Sequence, residues 1–337
     1  MKLALITFLS VISLVGSVVF AQDNPVSIFQ LQYTTAADGK SPYHLKQFVD
    51  CLGGVVIAKV SRSVPRIVIQ DPTVYDAAIQ GADCYWGAIQ IKDWTYGDLI
   101  DHINIGDWIE LNNVPIEDHR GTTFIQYGKG NTKSSFSVVG SNYPIPEPLV
   151  VDVNDITSPI EDPTDPGSYY VGNHNAEKFE SMRIKVTRVS VVEKGPGKAG
   201  DNYVLQSSDE PDDANFSCWA ADYMNPDAAG DYHPYVEEGQ HFCSVEGFLE
   251  QYTNISDGFD YYQIITTGTD DFLITQPADF DGDCDVDLVD FSGFSEYWFA
   301  SCPTDPNLCG GADLTDNGIV DMDDLTEFTS NWMEGLN

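Results

Sequence analysis

The sequence predicts a mostly β protein: two small five-stranded barrels in tandem, then a small α-helical module that holds cations. Three observations point there. Short β-branched and aromatic runs come in two sets of five, the second repeating the order of the first. Acidic residues crowd a tail that has no cation, and that tail repeats itself at a shift of 34 positions.

The first residues set the expected compartment. Lys2 supplies a positive start, Leu3 to Phe20 carry no charge, and Val19-Phe20-Ala21 is a small-x-small cleavage site, so residues 1–21 read as a secretory signal peptide. The run is short for a bilayer span and QDNP follows it rather than a basic stop-transfer cluster. No later stretch is long and apolar enough to cross a membrane. The mature chain is therefore expected to be secreted, extracellular or surface-associated, with no membrane span.

The first set of strands, expected in a unit over 22–143, comprises GGVVIAKVSR (53–62), PRIVIQD (65–71), WGAIQIKD (86–93), DWIELNNVPIED (107–118) and TTFIQY (122–127). A helix is expected near Tyr96 to Ile103. The Pro-rich acidic interval YPIPEPLVVDVNDITSPIEDPTDPG reads as a semi-extended linker, 144–168, in which LVVDV has the composition of an edge strand. The second set, in a unit over 169–275, comprises SMRIKVTRVSVVEK (181–194), DNYVLQSSD (201–209), CWAADYM (218–224), QHFCSVEGFLEQY (240–252) and YYQIITT (261–267). IQD matches LQS, CYW matches CWA, and IGDWIELNNVPIED matches EGQHFCSVEGFLEQ. Five strands in about a hundred residues suit a closed barrel, with a β-sandwich as the rival architecture.

This order of motifs resembles two tandem OB-folds, of the kind that accompany some secreted bacterial nucleases. The resemblance implies a β face for oligonucleotides or oligosaccharides. In the first module Trp86, Trp94, Trp108, Tyr85 and Tyr127, with Lys59, Arg62, Arg66, Lys92 and Arg120, are compatible with such a face, although a small barrel also needs rings simply to fill its interior.

Charge separates the parts. The chain carries 53 acidic against 16 basic residues, a net −37, which disfavours bulk nucleic acid as a partner. From Ser27 to Tyr143 the balance is nearly even, nine Lys and Arg against twelve Asp and Glu, whereas from Gln276 to Asn337 it is none against fifteen. The second module is acidic between Asp209 and Glu250, which argues against a nucleic-acid path across both.

In the tail, over 277–335, the 34-residue shift maps Asp279 onto Asp313, Asp283 onto Asn317, Asp287 onto Asp321, Asp290 onto Asp324, Phe294 onto Phe328 and Trp298 onto Trp332. Each unit places oxygens at loop positions 1, 3, 5, 7, 9 and 12, the calcium pattern of an EF-hand loop with position 7 contributing its carbonyl. The expected ligands are Asp279, Asp281, Asp283, Asp285, Asp287 and Asp290 in the first loop. In the second they are Asp313, Thr315, Asn317, Ile319, Asp321 and Asp324. Two Ca²⁺ ions are expected, because so many converging protein oxygens suit calcium better than magnesium.

Asp at position 12, Val286 and Val320 at position 8, and no room for an entering helix after Pro277 together resemble a type I dockerin. The resemblance implies helices after the loops and a cohesin-like extracellular partner. Positions 10 and 11, which carry much of that recognition in cellulosomal members, are here Leu288-Val289 and Met322-Asp323 instead of small hydroxylated residues. Position 6 of the first loop is Cys284 where a turn glycine is usual, while Gly318 keeps it in the second.

Seven cysteines leave one over if the rest pair internally. A bridge from Cys284 to Cys302 or Cys309 would brace the first loop, and Cys51 with Cys84 and Cys218 with Cys243 are compatible pairs, but sequence alone does not fix the connectivity. His44, His102, His119, His174, His233 and His241 are scattered, and neither HExxH, G-x-S-x-G nor a P-loop occurs, so no catalytic residues are assigned. His119 reads as a turn residue, and Glu110 and Glu117 as solvent-facing strand positions. The function expected is a noncatalytic secreted binding or adaptor protein. The alternative is a component of extracellular nucleic-acid or polysaccharide degradation.

Overall fold

The computed structural model describes residues 25–75, 85–131, 133–156, 158–198, 200–228, 232–274, 277–302 and 309–332. The expected signal peptide and Cys84 lie outside them.

A short helix, α1 (Ile28–Gln32), is capped by Ser27 and Gln30 and buries Ile28 and Leu31 against the first sheet. That sheet comprises β1 (Leu45–Val60), β2 (Arg66–Gln70), β3 (Ala88–Asp93), β4 (Trp108–His119), β5 (Thr122–Tyr127) and β6 (Ser135–Gly140). Its order is β1-β2-β3-β5-β4, and β4 pairs back onto β1, so five strands close a barrel with the OB-fold connectivity. All but the β3–β5 pair in that ring are antiparallel. β6, which the strand pattern did not anticipate, extends the sheet from β4.

Closure needs a tight approach at Gly53. Its φ is +69°, and a Cβ there would lie 1.6 Å from the carbonyl oxygen of Ile109, so only glycine lets β1 bend past β4. Ile67, Ile69, Ile89, Ile91, Ile116 and Ile125 fill the interior. The β-branched runs that predicted the strands thus supply the side chains that fill the barrel. The helix expected near Tyr96 to Ile103 is one 3₁₀ turn, Ile100–His102, nucleated by Asp93, whose carboxylate accepts the N–H groups of Leu99 and Ile100 at 3.2 and 3.0 Å.

The second sheet contains β7 (Leu149–Val150), β8 (Ile160–Glu161), β9 (Tyr169–Tyr170), β10 (Arg183–Lys194), β11 (Asn202–Ser207), β12 (Ser217–Ala221), β13 (His241–Asn254), β14 (Phe259–Ile265) and β15 (Phe272–Leu273). The pairings β10–β11, β11–β12, β12–β14, β14–β13 and β13–β10 repeat the ring of the first sheet, again with the third and fifth members parallel. The interval expected as a linker does not run free. β7 pairs in parallel with β10, and Val151, Val153 and Ile156 are buried in the second core, because LVVDV supplies apolar side chains that the edge of β10 can cover.

The two rings touch along a seam. Val68 of β2 joins Phe248, Ile265, Ala221 and Met224 in a shared apolar cluster, and Gly121 bridges to Tyr252. Thr122 Oγ1 donates to the Gln251 carbonyl at 2.6 Å. Buried in the seam, Glu180 Oε1 accepts from Gln32 Nε2 and from the Thr123 backbone N–H, both at 3.1 Å. Glu177 Oε2 accepts the Tyr262 hydroxyl at 2.8 Å.

The C-terminal segment forms α2 (Leu288–Glu296) and α3 (Met322–Ser330), each starting inside its acidic loop. Val286, Phe294, Ala312, Val320 and Phe328 make a small separate core, with Phe294 and Phe328 stacked at 5.2 Å. The expected disulfides are corrected here. Cys284 pairs with Cys243 of β13, and Cys302 pairs with Cys309. β15 returns along β13, so the chain re-emerges beside Cys243 before the tail begins. Cys218, a compatible partner for Cys243 by sequence, is buried and free, as is Cys51 among the described residues.

Candidate functional site

The two acidic loops are built alike. The position-1 carboxylates turn the chain back: Asp279 Oδ2 accepts the N–H of Cys284 at 2.9 Å, and Asp313 Oδ2 accepts that of Gly318 at 2.7 Å. At position 5, Asp283 accepts from Asp285 N at 3.0 Å and Asn317 from Ile319 N at 2.9 Å. At position 9, Asp287 and Asp321 cap α2 and α3, accepting the N–H of Val289 and of Asp323. Such caps favour helix initiation and place negative charge at the positive end of each helix dipole.

The position-12 carboxylates tie each loop to its helix. Asp290 accepts Phe280 N at 2.7 Å on one oxygen and Asp287 N at 2.8 Å on the other. Asp324 accepts Thr315 N at 2.9 Å and Asp321 N at 2.8 Å. Both are 0 % exposed. Carboxylate oxygens of Asp279, Asp281 and Asp290 lie within 4.8 Å of one another, as do those of Asp285, Asp287 and Asp290. Burial, and then the neighbouring Asp283, raise the carboxyls of Asp281 and Asp285 above the usual range. In the second loop Thr315 and Asn317 replace two of the carboxylates, so less like charge converges there.

Two first-loop residues are engaged outside the loop. The Asp285 side chain has one oxygen 3.9 Å from Arg188 and the other buried without a hydrogen bond. Cys284 sits at φ +73°, the left-handed region usual for glycine at this turn, and its disulfide holds it on the second sheet. His241 Nε2 lies 3.3 Å from Cys284 Sγ.

A different site lies in the seam. Arg62, Arg66 and Arg120 from the first barrel and Lys198 and Tyr223 from the second sheet's side line a cleft of about 470 Å³ with Glu250. Arg62 lies over Tyr223 at 4.5 Å, Arg66 over Phe124 at 4.5 Å and Arg120 over Tyr252 at 5.1 Å. Glu250 accepts the Tyr223 hydroxyl at 2.7 Å and faces Arg66 at 3.6 Å. His119, expected in a turn, ends β4 at the cleft wall. Burial and the nearby Lys92 and Arg120 lower it to about 4, so it is neutral at physiological pH. Burial, then Arg66, lowers Lys92 to about 7.

Three of the five cations singled out in the sequence therefore meet here. Lys59 instead donates to the Ile103 carbonyl, and Lys92 is buried over Phe124 at 3.8 Å. None of the five aromatic residues expected on a ligand face lines the cleft. Trp94 donates to Gln126, Trp108 to the Leu52 carbonyl, Tyr127 is buried, and Tyr85 packs edge-on against Phe179. The rings that do line it, Phe124, Tyr223, Tyr252, Phe259 and Tyr261, come mostly from the second sheet, where the sequence showed only an acidic surface. Glu110 and Glu117 are half-buried, and Glu117 pairs with Lys129.

No protein-family model matches the chain. No curated protein matches it. Among solved structures, the OB domain of MM0293 from Methanosarcina mazei is similar at 14 % identity, TM-score 0.23, over 32 % of this chain and 85 % of that one. A murine DNA-binding protein solved with double-stranded DNA aligns at 12 % identity and TM-score 0.29, over 65 % and 94 %. Fission yeast Pot1 solved with single-stranded DNA aligns at 13 % and 0.25, over 67 % and 80 %.

Proposed function

We infer that this is a noncatalytic extracellular binding protein in which two OB-like barrels are carried by a calcium-loaded, dockerin-like C-terminal module that attaches them to a second extracellular protein of cohesin type. The observation that carries the reading is the pair of position-12 carboxylates. Asp290 and Asp324 are fully buried in a segment without a Lys or Arg, each at the same place in a duplicated loop. Backbone N–H groups hold both oxygens of each carboxylate at the mouth of its loop, and converging carboxylate oxygens are the ligands a hard divalent ion takes.

The donor set fits calcium: carboxylate, hydroxyl, amide and backbone oxygens, with no soft ligand among the loop positions. Asp279, Asp281, Asp283, Asp287 and Asp290, with the Asp285 carbonyl, would hold one ion. Asp313, Thr315, Asn317, Asp321 and Asp324, with the Ile319 carbonyl, would hold the other. Bound calcium supplies charge neutralisation and a fixed loop geometry. The chain's own part is to orient α2 and α3, which leave Leu288, Val289 and Met322 exposed at positions 10 and 11 for a partner.

The test is retention of proteins from native culture medium on the immobilised full chain, with calcium and with chelator, beside a variant carrying Asp290→Asn and Asp324→Asn. The reading expects one protein held in calcium, released by chelator and lost with the variant. Equal retention under all conditions, or none, rejects attachment through the tail.

A further inference from the structure

The seam cleft gathers Arg62, Arg66, Arg120 and Lys198, four of the 16 basic residues of a chain with net charge −37. Its arginines are arranged in one way: each named guanidinium lies over a ring of Tyr223, Phe124 or Tyr252. Arg66 spends its edge on the Gln90 side-chain oxygen at 2.7 Å and on Glu250, and Arg120 gives one N–H to the Tyr252 hydroxyl, so Arg62 and the other N–H groups of Arg120 are the donors left for an oxyanion among the described residues. The stacking also covers ring faces on which bases or neutral sugars would otherwise lie, so recognition here falls to charge and hydrogen bonding.

The same wall carries acceptors. Asp201 and Glu250 line the cleft beside the arginines, and carboxylates accept hydrogen bonds from hydroxyl groups. A ligand that satisfies both sets bears anions and many hydroxyls together. A phosphodiester strand carries a charge on every unit and few hydroxyl donors. It would meet Asp201 and Glu250 inside the cleft and a strongly negative chain outside it. We propose that the cleft between the barrels binds a short acidic oligosaccharide, with uronate carboxylates on Arg62 and Arg120 and sugar hydroxyls on Asp201. The volume, about 470 Å³, suits a ligand of a few sugar units.

The site is a property of the docked pair. Arg62 and Arg120 belong to one barrel, while Asp201 and Glu250 belong to the other ring, so neither half carries both the arginine donors and the hydroxyl acceptors. It uses no residue of the calcium loops. Sugar binding therefore persists in the variant carrying Asp290→Asn and Asp324→Asn, and its success or failure is separate from that of the attachment reading.

The experiment is calorimetric titration of the full chain in calcium with tri-galacturonate, a neutral galactose trimer, a sulfated galactose trimer and a thymidine trinucleotide. Tri-galacturonate is expected to bind, with the neutral trimer silent and affinity falling about tenfold or more between about 50 and 500 mM salt. Arg62→Gln with Arg120→Gln, both exposed side chains, is expected to weaken binding by about tenfold or more. Tighter binding of the sulfated trimer supports the acidic-sugar site and assigns sulfate as its anion. Equal binding of the neutral trimer, tighter binding of the trinucleotide, or no binding of any acidic sugar overturns the proposal. The salt series on the unaltered chain decides the matter even if the variant misfolds.

Discussion

Replacing Glu177 by Gln flattens the pH dependence of stability. Glu177 and Glu180 are buried together in the seam, at 3 % and 1 % exposure. Burial, with Asp118, Asp260 and Asp38 around it, raises Glu177 to about 8, against the Tyr262 hydroxyl bond that lowers it. Burial and then Glu177 itself raise Glu180 well above the carboxylate range, and one Glu180 oxygen is buried without a hydrogen-bond partner. An acid with a raised folded pKa binds its proton more tightly when folded. Its contribution is present in full below the unfolded value of about 4.3 and is lost as pH rises through the folded value.

Each extra proton held by the folded state makes the unfolding free energy fall by about 1.4 kcal/mol per pH unit. From about pH 5 to about pH 7 one such proton removes roughly 3 kcal/mol, and the pair removes up to twice that. The assay is urea unfolding followed by intrinsic fluorescence at several pH values in excess calcium, for the unaltered chain and for Glu177→Gln. Because Glu177 also holds up the pKa of Glu180, the variant loses at least one proton's share of the slope. A flat or rising stability in the unaltered chain, or an unchanged slope in the variant, refutes the reasoning.

Three further outcomes follow from packing and linkage. Phe328→Ala empties the centre of the tail's core, where Phe280, Phe294 and Trp332 meet it, and costs about 3–5 kcal/mol, enough to unfold that module as read by Trp298 and Trp332 fluorescence. Replacing Cys243 and Cys284 together by Ser removes a crosslink spanning 41 residues. In the chain-entropy picture that costs roughly 4 kcal/mol, seen as a lower urea midpoint for the second sheet and tail. Lys92→Met raises the unfolding midpoint more at pH 6 than at pH 9. A lysine depressed to about 7 destabilises the fold most where both states would be charged, and that penalty fades as pH rises toward its unfolded value.

What the sequence revealed and what it concealed divide along a physical line. Runs such as RIVIQ, AIQIKD and TTFIQY predicted strands because barrel walls bury β-branched side chains, and the structure places β2, β3 and β5 there. The duplicated loops were legible because their oxygens follow a fixed local spacing, and each carboxylate at positions 1, 9 and 12 engages nearby backbone N–H groups. Long-range pairing was not legible. Cys284 was expected to bridge within the tail, but β15 brings the chain back along β13 to Cys243, a consequence of topology that local spacing does not encode.

The cleft was hidden for the same reason. Arg62, Arg66 and Arg120 were visible as cations, but the rings beneath Arg62 and Arg120 belong to Tyr223 and Tyr252, more than a hundred residues away. The conspicuous tryptophans of the first module were a poor guide. A small barrel uses Trp94 and Trp108 to close its own hydrogen bonds.

The decisive measurement is calorimetric titration of calcium into the metal-free full chain. Two ions are expected to bind per chain, with Asp290→Asn and Asp324→Asn each abolishing one binding step and leaving the other. Absence of saturable calcium binding, or two steps that survive both substitutions, contradicts the calcium-loaded reading of the tail.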